Sequence, residues 1–106
     1  MPKMLIKASY TAEGAKGLMK EGGSGRRAAV QKLVEGAGGK VEAFYFAYGE
    51  HDAFVIADVP DTASGVAMSL AANASGAVRL STTPLITPEE MDAATKKSVA
   101  YRAPGA

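Results

Sequence analysis

The chain has 106 residues, 47% of them hydrophobic and 22% charged, and its 12 basic and 11 acidic residues leave a net charge of +1. This length predicts one domain over residues 1–106 with a single core, and the near-neutral charge argues against a nucleic-acid partner. The sequence contains no cysteine, which excludes disulfides and thiolate metal ligands, and no apolar run of about 18 residues that would cross a membrane. Because the N-terminus lacks the pattern of a signal peptide, we expect a cytoplasmic location.

The first predicted elements are a strand and a helix in two parts. The strand covers Met4–Tyr10, and Thr11 stands where a helix N-cap belongs. A short helix is expected from Ala12 to about Glu21 and a second over Gly25–Ala37, since Gly22-Gly23 interrupts the helical pattern.

The centre of the chain predicts a hairpin. Its strands cover Val41–Tyr48 and Ala53–Val59, and the turn is Gly49-Glu50-His51-Asp52. In the first strand the odd positions are Val41, Ala43, Tyr45 and Ala47, and the even positions are Glu42, Phe44, Phe46 and Tyr48. Because successive side chains point to opposite sides of a sheet, neither side is polar, and both sides of this hairpin must be covered.

A second helix, strand and final helix follow. Asp61 or Thr62 caps a helix with an apolar stripe, and no charged residue occurs from Thr62 to Val78. We therefore expect a second surface on this helix, supplied by the chain's own tail or by a neighbouring subunit. The fourth strand is predicted over Ala77–Thr83, ended by Pro84. A last helix begins at Thr87-Pro88-Glu89-Glu90, runs to about Lys97 and leaves residues 98–106 as a tail.

This order predicts an α+β, ferredoxin-like βαββαβ domain with an extra C-terminal helix. Both main helices then cover one face of an antiparallel sheet. The other face would be a larger apolar patch than a monomer usually exposes, so we expect a homodimer or higher homo-oligomer packed sheet to sheet.

Several segments resemble one family. They are KASYTAEGAKGLMKEGG, FYFAYGEHDAFVIADVPD, SGAVRLSTTPLITPEEM and VAYRAPGA, which together cover nearly the whole chain. They resemble the GYD-domain proteins, small bacterial proteins of the dimeric α/β-barrel superfamily. The name-giving motif falls on Gly49 to Asp52, where Gly49 and Asp52 match and His51 occupies the aromatic position. The resemblance implies a dimeric barrel and no established activity.

Three groups of residues are candidates for a site. His51 with Asp52 would form an oriented general base, although Asp52 would equally serve as a turn cap. As the only histidine, His51 predicts no multi-histidine metal site within one chain. Tyr48 is a further catalytic candidate, and the tyrosines could equally be core or dimer contacts. The candidate ligand-binding residues are Lys7, Ser9, Tyr10, Tyr45, Arg79, Ser81 and Thr83.

In the ferredoxin-like strand order the first and fourth strands are neighbours. If their polar residues point away from the helices, they suit an anionic or carbonyl-bearing small molecule. An alternative is that they lie at the sheet margin and pair with acids or water. We consider two functions. One is an enzyme with cofactor-independent oxygenase or isomerase chemistry, and the other is a non-catalytic ligand-binding or assembly module. No cofactor is identifiable from the residues.

Overall fold

The structure is a computed structural model that describes residues 2–106. It contains one four-stranded antiparallel sheet in the order β2-β3-β1-β4. The elements are β1 Lys3–Tyr10, α1 Ala12–Gly36, β2 Lys40–Phe46, β3 Ala53–Asp58, α2 Thr62–Ala74, β4 Val78–Leu85 and α3 Pro88–Thr95. This α+β order fits the predicted ferredoxin-like arrangement, whereas the pairing of two such sheets into a barrel stays a prediction.

The core lies between one face of the sheet and the two long helices. Met4 and Ala57 face each other across β1 and β3, and they pack with Val34 of α1 and Met68 of α2. A second cluster joins Ala8, Ala53 and Val78 at the other end of the same face. The strict alternation of buried and half-buried residues along β3 arises because neighbouring side chains point to opposite sides of the sheet.

The predicted interruption of α1 is confirmed. Gly22 has φ 78° and ψ 168°, a conformation open to glycine alone, and it divides the helix into two parts. Thr11 caps the first part by accepting the Gly14 backbone N–H at 3.2 Å, and its hydroxyl donates to the Gly76 carbonyl at 2.8 Å. The start of α1 is thereby tied to the turn before β4.

Strand β2 departs from the predicted alternation. A bulge between Val41 and Ala43 shifts the register, so that Val41 and Phe44 face the helices while Ala43 and Tyr45 face the other side. The expectation that Val41 shares a side with Ala43 and Tyr45 is therefore wrong, because a bulge places two residues opposite one. The strand also ends at Phe46, two residues earlier than predicted, and leaves Tyr48 fully exposed.

Strand β4 continues through Pro84 to Leu85, so the expectation that Pro84 ends it is wrong. The strand lies at the edge of the sheet, paired only with β1. A proline is tolerated there because an edge strand does not need every backbone N–H for pairing. The last helix, α3, ends at Thr95 rather than near Lys97.

The face of the sheet opposite the helices is not covered by the described chain. We call it the open face. Its residues include Leu5, Lys7 and Ser9 of β1, Tyr45 of β2, Phe54 and Ile56 of β3, and Arg79, Ser81 and Thr83 of β4. Its middle is apolar, because Leu5 pairs with Ile56 and Phe54 lies two positions before Ile56 on the same side of β3.

The end of the chain stands away from this body. All residues from 86 to 106 are exposed, and α3 makes no extended contact with the sheet or the other helices of the described chain. The radius of gyration is 16.9 Å, whereas a compact chain of this length would have about 13 Å. The projecting segment is therefore longer than the tail predicted over residues 98–106.

Candidate functional site

A group of polar side chains lies at one end of the open face. Lys7 pairs with Ser81 and Ser9 pairs with Arg79 across the β1–β4 ladder, so all four side chains share one side of the sheet. His51, in the connection between β2 and β3, brings its Nδ1 to 3.4 Å from the Ser9 hydroxyl oxygen. We call these five residues the polar end. With Leu80 they line a surface cavity of ≈ 240 Å³.

The position of His51 next to Ser9 was not predicted from the residues. Because β3 runs antiparallel beside β1, the residues before β3 lie level with the last residues of β1. The predicted strand order already contained this signal. The imidazole also stands edge-on to Phe54, with ring centroids 5.9 Å apart, which helps to orient it over the sheet.

The two cations of the polar end have no acidic partner among residues 2–106. The ion pairs in that part of the chain involve Lys3 and Arg26 instead. At the opposite end of β1, Lys3 contacts Glu42 at 2.6 Å and Asp58 at 3.1 Å, and the hydrogen bonds to these two carboxylates raise the pKa of Lys3. The positive charge of this sheet face is therefore neutralised near Lys3 and free near Lys7 and Arg79.

Asp52 contacts the backbone rather than the imidazole. Its Oδ2 accepts the Tyr10 backbone N–H at 2.8 Å, and its own backbone N–H donates to the Ala8 carbonyl at 2.8 Å. Among the described residues no hydrogen bond joins Asp52 to His51. The contact is structural, but its partner is the backbone of β1 and not that of the turn, so the carboxylate holds the hairpin tip against the end of β1.

The other candidate residues are distributed around the sheet. Tyr45 shares the open face but lies on β2, at the far edge from β4, and is 71% exposed. Thr83 lies two positions further along β4 from Ser81, opposite Leu5. Tyr48 is exposed beyond the end of β2. The structure thus does not bring these three residues to the polar end.

Tyr10 lies on the helix-facing side of the sheet. Its ring packs on the cluster around Ala8 and lines an interior cavity together with Arg26 of α1. Strand alternation explains this placement, since Tyr10 follows Ser9 and must point to the opposite side. The sheet itself separates Tyr10 from Lys7 and Arg79.

The profile of the GYD domain family matches residues 4–95. The chain belongs to the GYD domain family. The match runs from β1 to the last residue of α3 and includes the whole polar end. No curated protein and no solved structure matches the chain.

Metal-binding clusters and membrane-spanning helices are both absent from residues 2–106 of this GYD domain. Residues 2–106 contain no cluster of three or more histidine, cysteine, aspartate or glutamate side chains that would hold a metal ion. Within the same range, no helix combines the length and the apolar character needed to cross a bilayer.

We expect Asp52→Ala to lower the free energy of unfolding by about 2 kcal/mol, because a hydrogen bond to a charged group is lost. Asp52→Asn keeps an acceptor oxygen at the same place and should cost about 1 kcal/mol or less. Urea denaturation followed by circular dichroism measures both. An Asp52→Ala variant as stable as the parent chain would contradict the anchoring role.

Tyr10 predicts a loss of stability in alkali. Burial raises the pKa of the Tyr10 hydroxyl above its ordinary value, and this effect exceeds the lowering by the positive charge of Arg26. Between the pKa of the unfolded chain and the higher pKa of the folded protein, the folded protein keeps this proton and the unfolded chain releases it. The free energy of unfolding is therefore unaffected by Tyr10 below about pH 10 and falls as the pH rises further. Urea unfolding at stepwise alkaline pH should show this decline. The decline should shrink in Tyr10→Phe, and an unchanged decline there would disprove the assignment.

Proposed function

We propose that this GYD domain binds an anionic or carbonyl-bearing small molecule at the polar end. The observation that supports this most is the pair Lys7 and Arg79, which face the same side of adjacent strands without an acidic partner in residues 2–106. Two cations beside two hydroxyls suit an oxyanion, because charge-assisted hydrogen bonds are stronger than neutral ones. His51 adds a group that donates or accepts a hydrogen bond.

We further infer that a second copy closes the site. The middle of the open face contains Leu5, Phe54 and Ile56, half-buried side chains that no other part of the described chain covers. Two sheets that pack face to face lie about 10 Å apart and bury such side chains between them. A two-fold pair would bury this apolar middle and leave the polar end as a cavity at the margin of the interface.

An enzyme is the more specific form of this proposal. Histidine is the side chain that most often acts as a general acid or base, and His51 lies beside the two cations. In a cofactor-independent oxygenase or isomerase, His51 would take a proton from carbon next to a carbonyl, and Lys7 or Arg79 would stabilise the enolate. The alternative is a binding or assembly module, which would use the same cations without proton transfer.

The binding proposal is tested with benzoate as probe and benzyl alcohol as its neutral counterpart. Isothermal titration calorimetry should detect binding of benzoate and no binding of benzyl alcohol. Arg79→Gln or Lys7→Gln should raise the dissociation constant of benzoate roughly 10- to 100-fold, the value of a hydrogen bond to a charged group. Lys32→Gln on α1 is the matched control, because it removes the same charge from an exposed helix face. Equal affinity for both probes, or equal loss in the control, would refute the proposal.

The choice between enzyme and binding module is tested with a 1,3-diketone probe, pentane-2,4-dione, in deuterated water. An enzyme of the proposed kind should accelerate exchange at the acidic carbon, and His51→Gln should abolish the acceleration while benzoate still binds. Exchange at the rate of buffer alone would favour the binding module. Native mass spectrometry of the purified protein adds the subunit number and the mass of any retained ligand.

A further inference from the structure

One apolar surface that the described chain does not cover is a groove between α2 and β4, on the helix-bearing side of the sheet. Val66 and Leu70 of α2 are 51% and 64% exposed, and they line it with Leu80 and Pro84 of β4. Its volume is ≈ 340 Å³. The helix α2 carries no charged residue along Thr62–Ala74. Its solvent-exposed face is therefore apolar, whereas the exposed face of a surface helix normally carries charged residues. We call this the α2–β4 groove.

The other uncovered apolar surface belongs to the C-terminal arm, residues 86–106. Its large apolar side chains are all exposed, with Val99 and Tyr101 at 80% and 81%. The longest dimension of the molecule is 55 Å, against 33 and 22 Å for the others. Both the arm and the groove therefore expose apolar side chains that lack a covering element in the described chain.

The arm begins at a short and well-ordered junction. Only Ile86 and Thr87 connect β4 to α3, and Thr87 is extended, with φ −80° and ψ 161°, as a residue before proline must be. A reciprocal capping box stiffens this junction, since Thr87 and Glu90 each accept the other's backbone N–H at 3.0 Å. In this conformation the arm leaves its own groove open, since residues 86–106 are all exposed and α3 makes no extended contact with α2 or the sheet.

We propose that the arm of one copy packs into the α2–β4 groove of a second copy, and that the second arm packs reciprocally into the first groove. Lengths agree with this. The groove runs along α2, whose 13 residues extend about 20 Å. The residues that follow α3, 96–106, reach about 36 Å when extended, which is enough to cross it. A two-fold exchange uses both surfaces of each chain and leaves neither exposed.

This contact goes beyond the proposed function, because it needs neither a ligand nor contact between the open faces. It lies on the helix-bearing side of the sheet, whereas the polar end lies on the other side. Its experimental failure would therefore leave the binding proposal intact. Failure of the binding proposal would likewise leave the arm contact intact.

Disulfide cross-linking gives a direct test, since the chain has no cysteine of its own. Leu70→Cys is mixed separately with Met91→Cys and with Val99→Cys, each partner carrying a different tag, and the mixtures are unfolded, refolded together and oxidised. At least one mixture should give a cross-linked heterodimer on non-reducing gels, at five-fold or greater yield than the same arm variant mixed with Gln31→Cys. Gln31 is the matched control because it is exposed on α1, away from the groove.

A chain carrying both Leu70→Cys and Val99→Cys identifies whose arm occupies the groove. Exchange between copies predicts a covalent dimer. A fast-migrating cross-linked monomer would mean that the chain's own arm folds back, and it would overturn the proposal. Heterodimer yields no higher than the Gln31→Cys control for both arm positions would overturn it as well, and would assign the groove to a different partner.

Discussion

A Gly14→Ala variant should be about 2 kcal/mol less stable to unfolding than the parent chain. Gly14 is buried in the first turn of α1, and a methyl group there would overlap the Ala77 carbonyl oxygen and approach the Tyr10 ring. Overfilling a packed site typically costs about 1–3 kcal/mol, because backbone or side chains must shift. The neighbour here is backbone, already held by the bond from the Thr11 backbone N–H to that carbonyl.

Gly17→Ala is the matched control and should have the opposite effect. It makes the same change three residues later in the same helix, where a methyl group meets no atom within 4 Å. Alanine is favoured over glycine inside a helix by about 0.5–1 kcal/mol, so this variant should be more stable. Urea unfolding of both variants gives the comparison. Equal effects would show that α1 does not pack on the turn before β4 as described.

An Ile56→Lys variant should self-associate more weakly than the parent chain. Ile56 lies at the centre of the open face, between Leu5 on β1 and Ala43 on β2. If two copies pair through this face, the new lysine is buried without a partner, which costs several kcal/mol. The dimer dissociation constant should rise by at least roughly 100-fold. Light scattering coupled to gel filtration over a dilution series would then report a smaller mass than for the parent chain, approaching the 10.9 kDa of the single chain.

Ala29→Lys is the control for this substitution. It adds the same charge to the exposed side of α1, on the helix layer rather than the open face, and should leave the subunit number unchanged. Thermal unfolding of both variants separates a loss of pairing from a loss of folding. A parent chain that is monomeric at micromolar concentration, or an Ile56→Lys variant that associates as tightly as the parent chain, would contradict pairing through this face.

The local features of the fold were predictable from short stretches of the chain. Gly22 interrupts α1 as expected, because only glycine adopts the conformation found there. The Thr87 capping box and the alternation along β3 likewise depend on residues a few positions apart. The open face could also be anticipated, since apolar residues occupied both sides of the central hairpin while the two helices could cover only one.

Other features depend on strands that meet across the sheet, and spacing along the chain did not reveal them. The β2 bulge exchanges the expected sides of Val41 and its neighbours, and the edge position of β4 allows Pro84 inside a strand. The polar end was predicted only in part. Strand alternation and the strand order predicted that Lys7 and Arg79 share one side of the sheet. They did not predict that His51 joins them, because its position depends on how the hairpin connection packs against β1.

Alternation, caps and glycine positions in the chain alone thus established where most elements lie and that α1 is divided, because these features depend on near neighbours. They also indicated an uncovered sheet face, since both sides of the central hairpin are apolar. The side of the sheet that carries Tyr10 follows from the same rule. The role of Asp52 and the meeting of His51 with Ser9 depended on the folded chain, because both contacts join residues 42 positions apart. Contacts of that range are set by how strands pack together, which no local pattern encodes.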